Sequence, residues 1–328
     1  MDKRFVGNLV AIAVAGLVQH AAVAAPLTAG EVLGQFNAVI FGNLNSNSEI
    51  EGRTLVGGNL LGTGSTYATR TLPASGYAAL AVGGNVVANG YVNVNGGGSA
   101  AVAGNVKYMN MNGGTAYIGG NVTGNVNGSK VTGASVTVPD FSQTMLDLAA
   151  QLQMLSANSS ISVASNRATF NAAPDADGLA VFDITDSNFF NGIGEIAFNL
   201  NGARTVIVNV DLTSATIAEN FLGGAATAVA DKVLWNFSAA TSLAFNAEFG
   251  GSVLAPQASV SNSISLDGTL IAASLTQRGE LHQYSFTGTL PGLSAPPATV
   301  LRIDEPAGWA LLGASAIAGL ATRRRRRR

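Results

Sequence analysis

The sequence predicts a mainly β protein: a β-solenoid or β-helix-like body with one long flanking α-helix and a C-terminal apolar anchor helix. Three observations predict it. A Gly-Asn motif between apolar residues recurs as "LVGGNL", "AVGGNV", "AVAGNV" and "YIGGNV", with repeat asparagines Asn59, Asn85, Asn105 and Asn121. Charged residues make up only 11% of the 328, less than half the usual share. Exposed positions must then carry Asn, Ser, Thr and Gly, as on long β ladders. One segment, 139–155, carries the strongest helical periodicity in the chain.

The elements follow in order. Lys3 and Arg4 precede an apolar run at 5–18, and small residues Ala22 and Ala24 follow. This is the pattern of a secretory signal peptide over 1–24, cut by signal peptidase after Ala24. Val32, Leu33 and Phe36 sit at helical spacing, so 29–36 reads as a short amphipathic helix, and "NAVIFG" as a buried strand. From 53 to 138 the chain is short apolar pairs separated by Gly, Asn and Ser. The repeat asparagines are spaced 26, 20 and 16 residues apart. Repeat arrays normally keep one period, so the shrinking spacing indicates coils with variable loops on one side. "YVNVNGGG" and "VTGASVTV" read as alternating strands of those coils.

In 139–155, Phe141, Met145, Leu148, Leu152 and Leu155 form one stripe, and Pro139 with Asp140 suits a helix start. The stripe is expected to pack along the side of the coils. Strand patterns resume as "ISVASNRATF", "LAVFDIT", "EIAFNL", "RTVIVNV", "KVLWNF", "SLAFNAEF", "GSVLAPQASV", "GTLIAASL" and "LHQYSFTG". "RTVIVNV" is apolar almost throughout, as expected of a strand covered on both faces. The body is assigned to 25–290, a Pro-rich linker to 291–303 and a tail to 304–328.

The tail has 16 uncharged residues at 307–322, then six arginines at 323–328. As a helix it reaches about 24 Å, short of a bilayer core of roughly 30 Å. The basic end is costly to move across a membrane, so the chain stalls there with its body outside. A permanent anchor is the alternative.

Composition excludes several functions. Without Lys3, Arg4 and the six terminal arginines, the 17 basic residues fall to 9; without Asp2, the 19 acidic residues fall to 18. The exported body is thus net acidic, by about nine charges, and no nucleic-acid partner is expected. Cysteine is absent, which removes disulfides, thiol catalysis and Cys-ligated metal. His20 leaves with the signal peptide, so His282 is alone and multi-histidine zinc sites are excluded.

Two resemblances add to this reading. The order of Asp304-Glu305-Pro306, short apolar helix and arginine cluster resembles the PEP-CTERM sorting tail of Gram-negative bacteria. Asp304 stands where that family has proline. The resemblance implies processing by a membrane protease, the exosortase. "FNAVIFGNLNSNSEIEGRTLVGGNL", "KVLWNF" and "GSVLAPQASVSNSISLDGTLIAASLTQRGELHQYSFTG" together resemble the choice-of-anchor A family of bacterial surface domains. That implies extracellular display and adhesion or matrix formation, and supplies no catalytic residues. The last stretch is also similar to the solenoid of secreted ice-binding domains, which lay one helix along the coils.

Each candidate site also has a plainer structural role. Asn tolerates the left-handed region and Gly accepts it freely, so the Gly-Asn copies read as coil corners whose asparagines could stack, rather than as a glycan-binding row. Glu49, Glu51 and Arg53 alternate, which reads as a charge-compensated exposed face; a sugar or calcium contact is the sharper alternative. "PDADG", with Asp175, Asp177 and Gly178, departs from an EF-hand loop, where Asp186 would take the twelfth position, and reads as a turn. His282 and Glu280 could pair catalytically, but no G-x-S-x-G occurs and a structural histidine is the plainer reading. T-x-T occurs only as "TRT" and "TGT", so no threonine column is evident.

These readings converge on an exported, non-enzymatic, adhesin-like protein. It passes the inner membrane of a Gram-negative bacterium and reaches the cell surface or extracellular matrix, held transiently by its tail. Expected partners are a glycan, matrix or cell surface, plus signal peptidase and exosortase. No cofactor, catalytic residue or metal ligand is assigned; calcium is possible but not located. An ice-binding module and a polysaccharide-degrading β-helix enzyme are the alternatives.

Overall fold

The computed structural model describes residues 27–221 and 225–291. Ala22, Ala24, the linker beyond Pro291, the Asp304-Glu305-Pro306 motif and the apolar tail lie outside the described residues. No helix among the described residues is long and apolar enough to cross a membrane.

The body is a β-solenoid with three faces of parallel strands. One coil runs Ala38–Ile40, Leu44–Ser46, Glu49–Ile50; the next runs Thr54–Val56, Leu60–Leu61, Ser65–Tyr67. Each strand pairs in parallel with its counterpart one coil on, as in Val39 with Leu55, Leu44 with Leu60 and Ile50 with Tyr67. The extra residues of the long second coil lie between Tyr67 and Leu80, at one corner, so the faces keep register while the repeat spacing varies.

The coils do not stack in chain order. Ala38–Ile40 pairs with Thr54–Val56 on one edge and with Leu270–Gln277 on the other. The chain therefore enters mid-stack, winds outward to Thr132, crosses back and winds inward from the opposite end. Its last coil seats against its first. The far end is closed by an antiparallel hairpin of Ser160–Ala164 and Arg167–Asn171.

Among the described residues three α-helices flank the coils: α1 (Ala29–Gln35), α2 (Ser142–Gln153) and α3 (Ala225–Val229). Thr28 and Glu31 form a capping box on α1, fixing its start. On the first face, Ile40, Val56, Val82 and Val102 point into the core, while Ile207, Leu234, Leu254, Ile271, Val39 and Leu55 point outward. That outward set is still fully buried, because α1 and α2 lie on that side. Each such side chain contributes roughly 1.5–3 kcal/mol. This is why "TVIVNV" is buried at every position.

The α2 stripe packs as its spacing implies. Met145, Leu148, Ala149 and Leu152 are buried, and Phe141 caps the start. Leu155 falls beyond the helix end. Asp140 accepts from the Ser142 N–H at 2.8 Å, a bond that lowers its pKa. Phe141, Phe36 and Tyr77 form a ring cluster with centroids 5.7–5.9 Å apart. Two buried asparagines pin the other end: Asn209 donates to the Leu152 carbonyl at 2.9 Å and Asn236 to that of Ala149 at 3.0 Å. Asn236 also donates to Asn209.

Two strand expectations are corrected. "VTGASVTV" stops being a strand at Thr132, because the segment after it must leave the stack to reach α2. "LHQYSFTG" keeps only Leu281–His282 as strand. The core differs between halves. The outward-winding half is filled mainly by aliphatic side chains and Met, with Tyr67 among them, whereas Trp235, Phe170, Phe182, Phe198 and Phe249 fill the other. The Trp235 indole N–H donates to the Gly250 carbonyl at 3.0 Å, meeting its one polar demand.

Candidate functional site

The four repeat asparagines stand in one column at the corner between the first and second faces. The backbone N–H of Asn85 donates to Asn59 Oδ1, that of Asn105 to Asn85 Oδ1, and that of Asn121 to Asn105 Oδ1, each at 2.8 Å. Asn59 donates in the same way to Asn43, also at 2.8 Å. Asn43 is thus a fifth member: Ile40-Phe41-Gly42-Asn43-Leu44 carries the same apolar-x-Gly-Asn-apolar pattern, one coil before the four copies singled out in the sequence. The reason for glycine differs from the expected one. No repeat Gly or Asn has positive φ among the described residues. Glycine is required by close approach instead: a Cβ on Gly84 would lie 2.6 Å from Asn59 Oδ1 and 2.7 Å from the Gly58 carbonyl oxygen. The column links each coil to the next.

The second face carries a regular surface. Its strands include Ser214–Ile217 and Ser242–Phe245, then the later parts of Ser252–Asn262 and Leu270–Gln277. Ser214, Ser242, Ser259 and Ser274 are in register across four coils. Two residues on, Thr216, Ala244, Ser261 and Thr276 make a second column, continued by Asn45. Their strand neighbours Ile217, Leu243, Phe245, Val260 and Leu275 point inward and are buried. The outward set is short, uncharged and mostly hydroxylated, and the Ser259 and Ser274 hydroxyls are 2.6 Å apart. Parallel pairing sets the column spacing at about 4.8 Å between coils and roughly 6.7 Å along a strand. T-x-T does not mark this face, since its two occurrences lie at 69–71 and 287–289. The signal is S-x-(T/A/S), opening two strands as "SATI" and "SLAF" and closing two longer ones as "SVSN" and "SLTQ", at unequal spacing.

A third feature lies on the third face, where the last coil meets the first. A cleft of about 580 Å³ is lined by Glu51, Arg70, Glu248, Asp267, His282 and Tyr284, among others. His282 Nδ1 lies 2.6 Å from Asp267 Oδ1 and Nε2 lies 3.2 Å from Glu280 Oε2. Burial pulls the imidazole pKa down, but the bonds to both carboxylates outweigh it and raise the value. Burial raises the Asp267 pKa, against the pull of His282. Both ring nitrogens face carboxylates and neither faces a serine hydroxyl, so His282 and Glu280 do meet, but not as a serine-hydrolase pair.

The Glu49, Glu51 and Arg53 set is not an exposed face. Arg53 is 4% exposed and donates to the carbonyls of Gln35, Pro73 and Tyr77. Glu51 is 8% exposed, pairs with Arg70 at 3.0 Å and accepts from the Gln283 N–H at 2.9 Å. The strand there is only two residues long, and the turn after it sends both charges inward. "PDADG" is a turn, with Asp175 accepting from the N–H groups of Asp177 and Leu179. Among the described residues no group of three or more His, Asp or Glu is placed to hold a metal ion.

The chain is thus a three-faced parallel solenoid with in-register hydroxyl columns on one face. The family model described as "Putative Ice-binding-like adhesive domain" matches residues 29–283, and the chain belongs to that family. No curated protein matches the chain, and no solved structure does.

Proposed function

We propose that the protein is a non-enzymatic adhesin, displayed at the cell surface or in the extracellular matrix, that attaches through the hydroxyl grid of its second face. The in-register columns headed by Ser214 and Thr216 carry this reading. A flat array of short hydroxyls gives many weak, evenly spaced hydrogen bonds and costs little side-chain entropy on contact. It suits an extended, hydroxyl-bearing surface. Family membership supports the adhesive role.

The test is attachment. The full chain should hold cells or beads to hydrated polysaccharide matrix, and Ser259→Lys with Thr276→Lys should abolish attachment while the unfolding midpoint stays unchanged. Undiminished attachment by the double variant sinks the reading. The same grid favours a second reading, binding to ordered water on ice. Thermal hysteresis that the double variant removes, without matrix attachment by the wild type, would select it.

Display rests on processing at both ends. In this proposal signal peptidase cuts after Ala24, and an exosortase acts at Asp304-Glu305-Pro306 before the tail is lost. Intact mass of the exported protein should lack 323–328; a retained arginine cluster refutes the second step.

A further inference from the structure

The hydroxyl grid leaves the seam cleft unused, and its lining has an unusual hydrogen-bond balance. Two ion pairs are satisfied internally, Glu51 with Arg70 and Asp267 with His282. Asp267 is fully buried, yet its Oδ2 has no hydrogen-bond partner. The Gln283 Oε1, in the same lining, is also buried without one. Glu248 is exposed at the rim and makes no hydrogen bond or ion pair among the described residues. Arg70 uses only Nε on Glu51 and is 68% exposed, leaving its two terminal nitrogens facing solvent. Buried polar atoms normally find partners, so a place that collects unmatched acceptors beside free donors is prepared for something that brings both.

The charges narrow the choice. A small anion meets Glu248 and the paired carboxylates. A metal ion finds no cluster of ligands and meets Arg70. What remains is a neutral ligand with several hydroxyls, each able to donate to a carboxylate or amide oxygen and accept from a guanidinium. The volume, about 580 Å³, lies within the range of small-molecule sites, and Tyr284 adds an aromatic wall.

We propose that the seam cleft binds a neutral saccharide unit, with Glu248 and Arg70 as the contacting pair at its mouth. This site is separate from the hydroxyl grid: it lies on another face and selects a sugar rather than a surface. Both halves of the chain build it, Glu51 and Arg70 from the outward-winding coils and Glu248, Asp267 and His282 from the returning ones.

The full chain should be applied to an array of neutral gluco-, galacto-, manno- and xylo-configured oligosaccharides, and hits measured by calorimetry. Binding of at least one neutral saccharide is expected, weakened about tenfold or more by Glu248→Ala and by Arg70→Ala. Glu248 has no partner to lose, so Glu248→Ala keeps the test alive if the Arg70 variant unfolds. Ser259→Lys should leave this binding intact, which separates failure of the cleft from failure of the grid. Absence of binding across the array, or wild-type affinity in Glu248→Ala, overturns the proposal.

Discussion

The backbone N–H of Asn121 donates to Asn105 Oδ1 at 2.8 Å, and the same bond at the same length joins Asn85 to Asn59, 26 residues apart. Equal geometry across unequal spacing means that the corner, not the period, is what the sequence repeats. An interior rung therefore differs from the last one. Asn85→Ala strips the acceptor from the Asn105 N–H and should cost about 1 kcal/mol. Asn121→Ala removes an oxygen that accepts no hydrogen bond among the described residues and should be near neutral. Urea midpoints decide; equal losses would mean that the column does not hold the coils together.

Glycine in the motif is set by distance. Gly84→Ala drives a Cβ to 2.6 Å from Asn59 Oδ1 and should destabilise by about 1–3 kcal/mol or more. Gly97→Ala meets nothing within 4 Å but has φ of 72°, which costs only about 1 kcal/mol. The order of the two melting temperatures checks the claim.

Arg53 latches the 68–79 insertion. Arg53→Met would leave the carbonyls of Gln35, Pro73 and Tyr77 without their donor and should cost about 3 kcal/mol. Arg53→Lys should recover little, since one ammonium cannot reproduce the fork. Proteolysis confined to 68–79 in the variants is the expected readout; unchanged resistance there would remove the latch.

Glu219 predicts a pH dependence. It is 2% exposed, and burial pushes its pKa up to about 7 from 4.5, against backbone hydrogen bonds. The folded state then holds a proton that the unfolded chain has lost, so stability falls as pH rises from 4.5 to 7. The loss is complete above that and totals about 3 kcal/mol. Glu219→Gln should lie close to the wild type at about pH 5 and exceed it at about pH 8 by roughly this amount. Identical urea midpoints at the higher pH would contradict it.

Much of the architecture was legible locally. The stripe from Phe141 to Leu152 marked α2, and the apolar run "TVIVNV" marked a strand covered on both sides. The repeat asparagines marked the corners. What escaped depends on register between distant strands. Ser214 and Ser274 share a column only because four coils align, and no local pattern encodes that alignment. Arg53 escaped because period-two alternation assumes a strand longer than the two residues present. The cleft joins Glu51 to Asp267 and Glu248, residues some two hundred positions apart, through a stacking order that departs from chain order.

That stacking order also bears on synthesis. The coils from Ala38 to Thr132 leave the ribosome first and can stack on one another, but the inner edge of Ala38–Ile40 has no partner until Leu270–Gln277 arrives. Closing the seam joins segments at large sequence separation, a slow step by the loop entropy it demands. Until then the nascent chain carries an open, apolar strand edge of the kind that recruits other chains. Export of the unfolded chain before closure, or a chaperone covering that edge, is the demand this topology places on the cell that makes it.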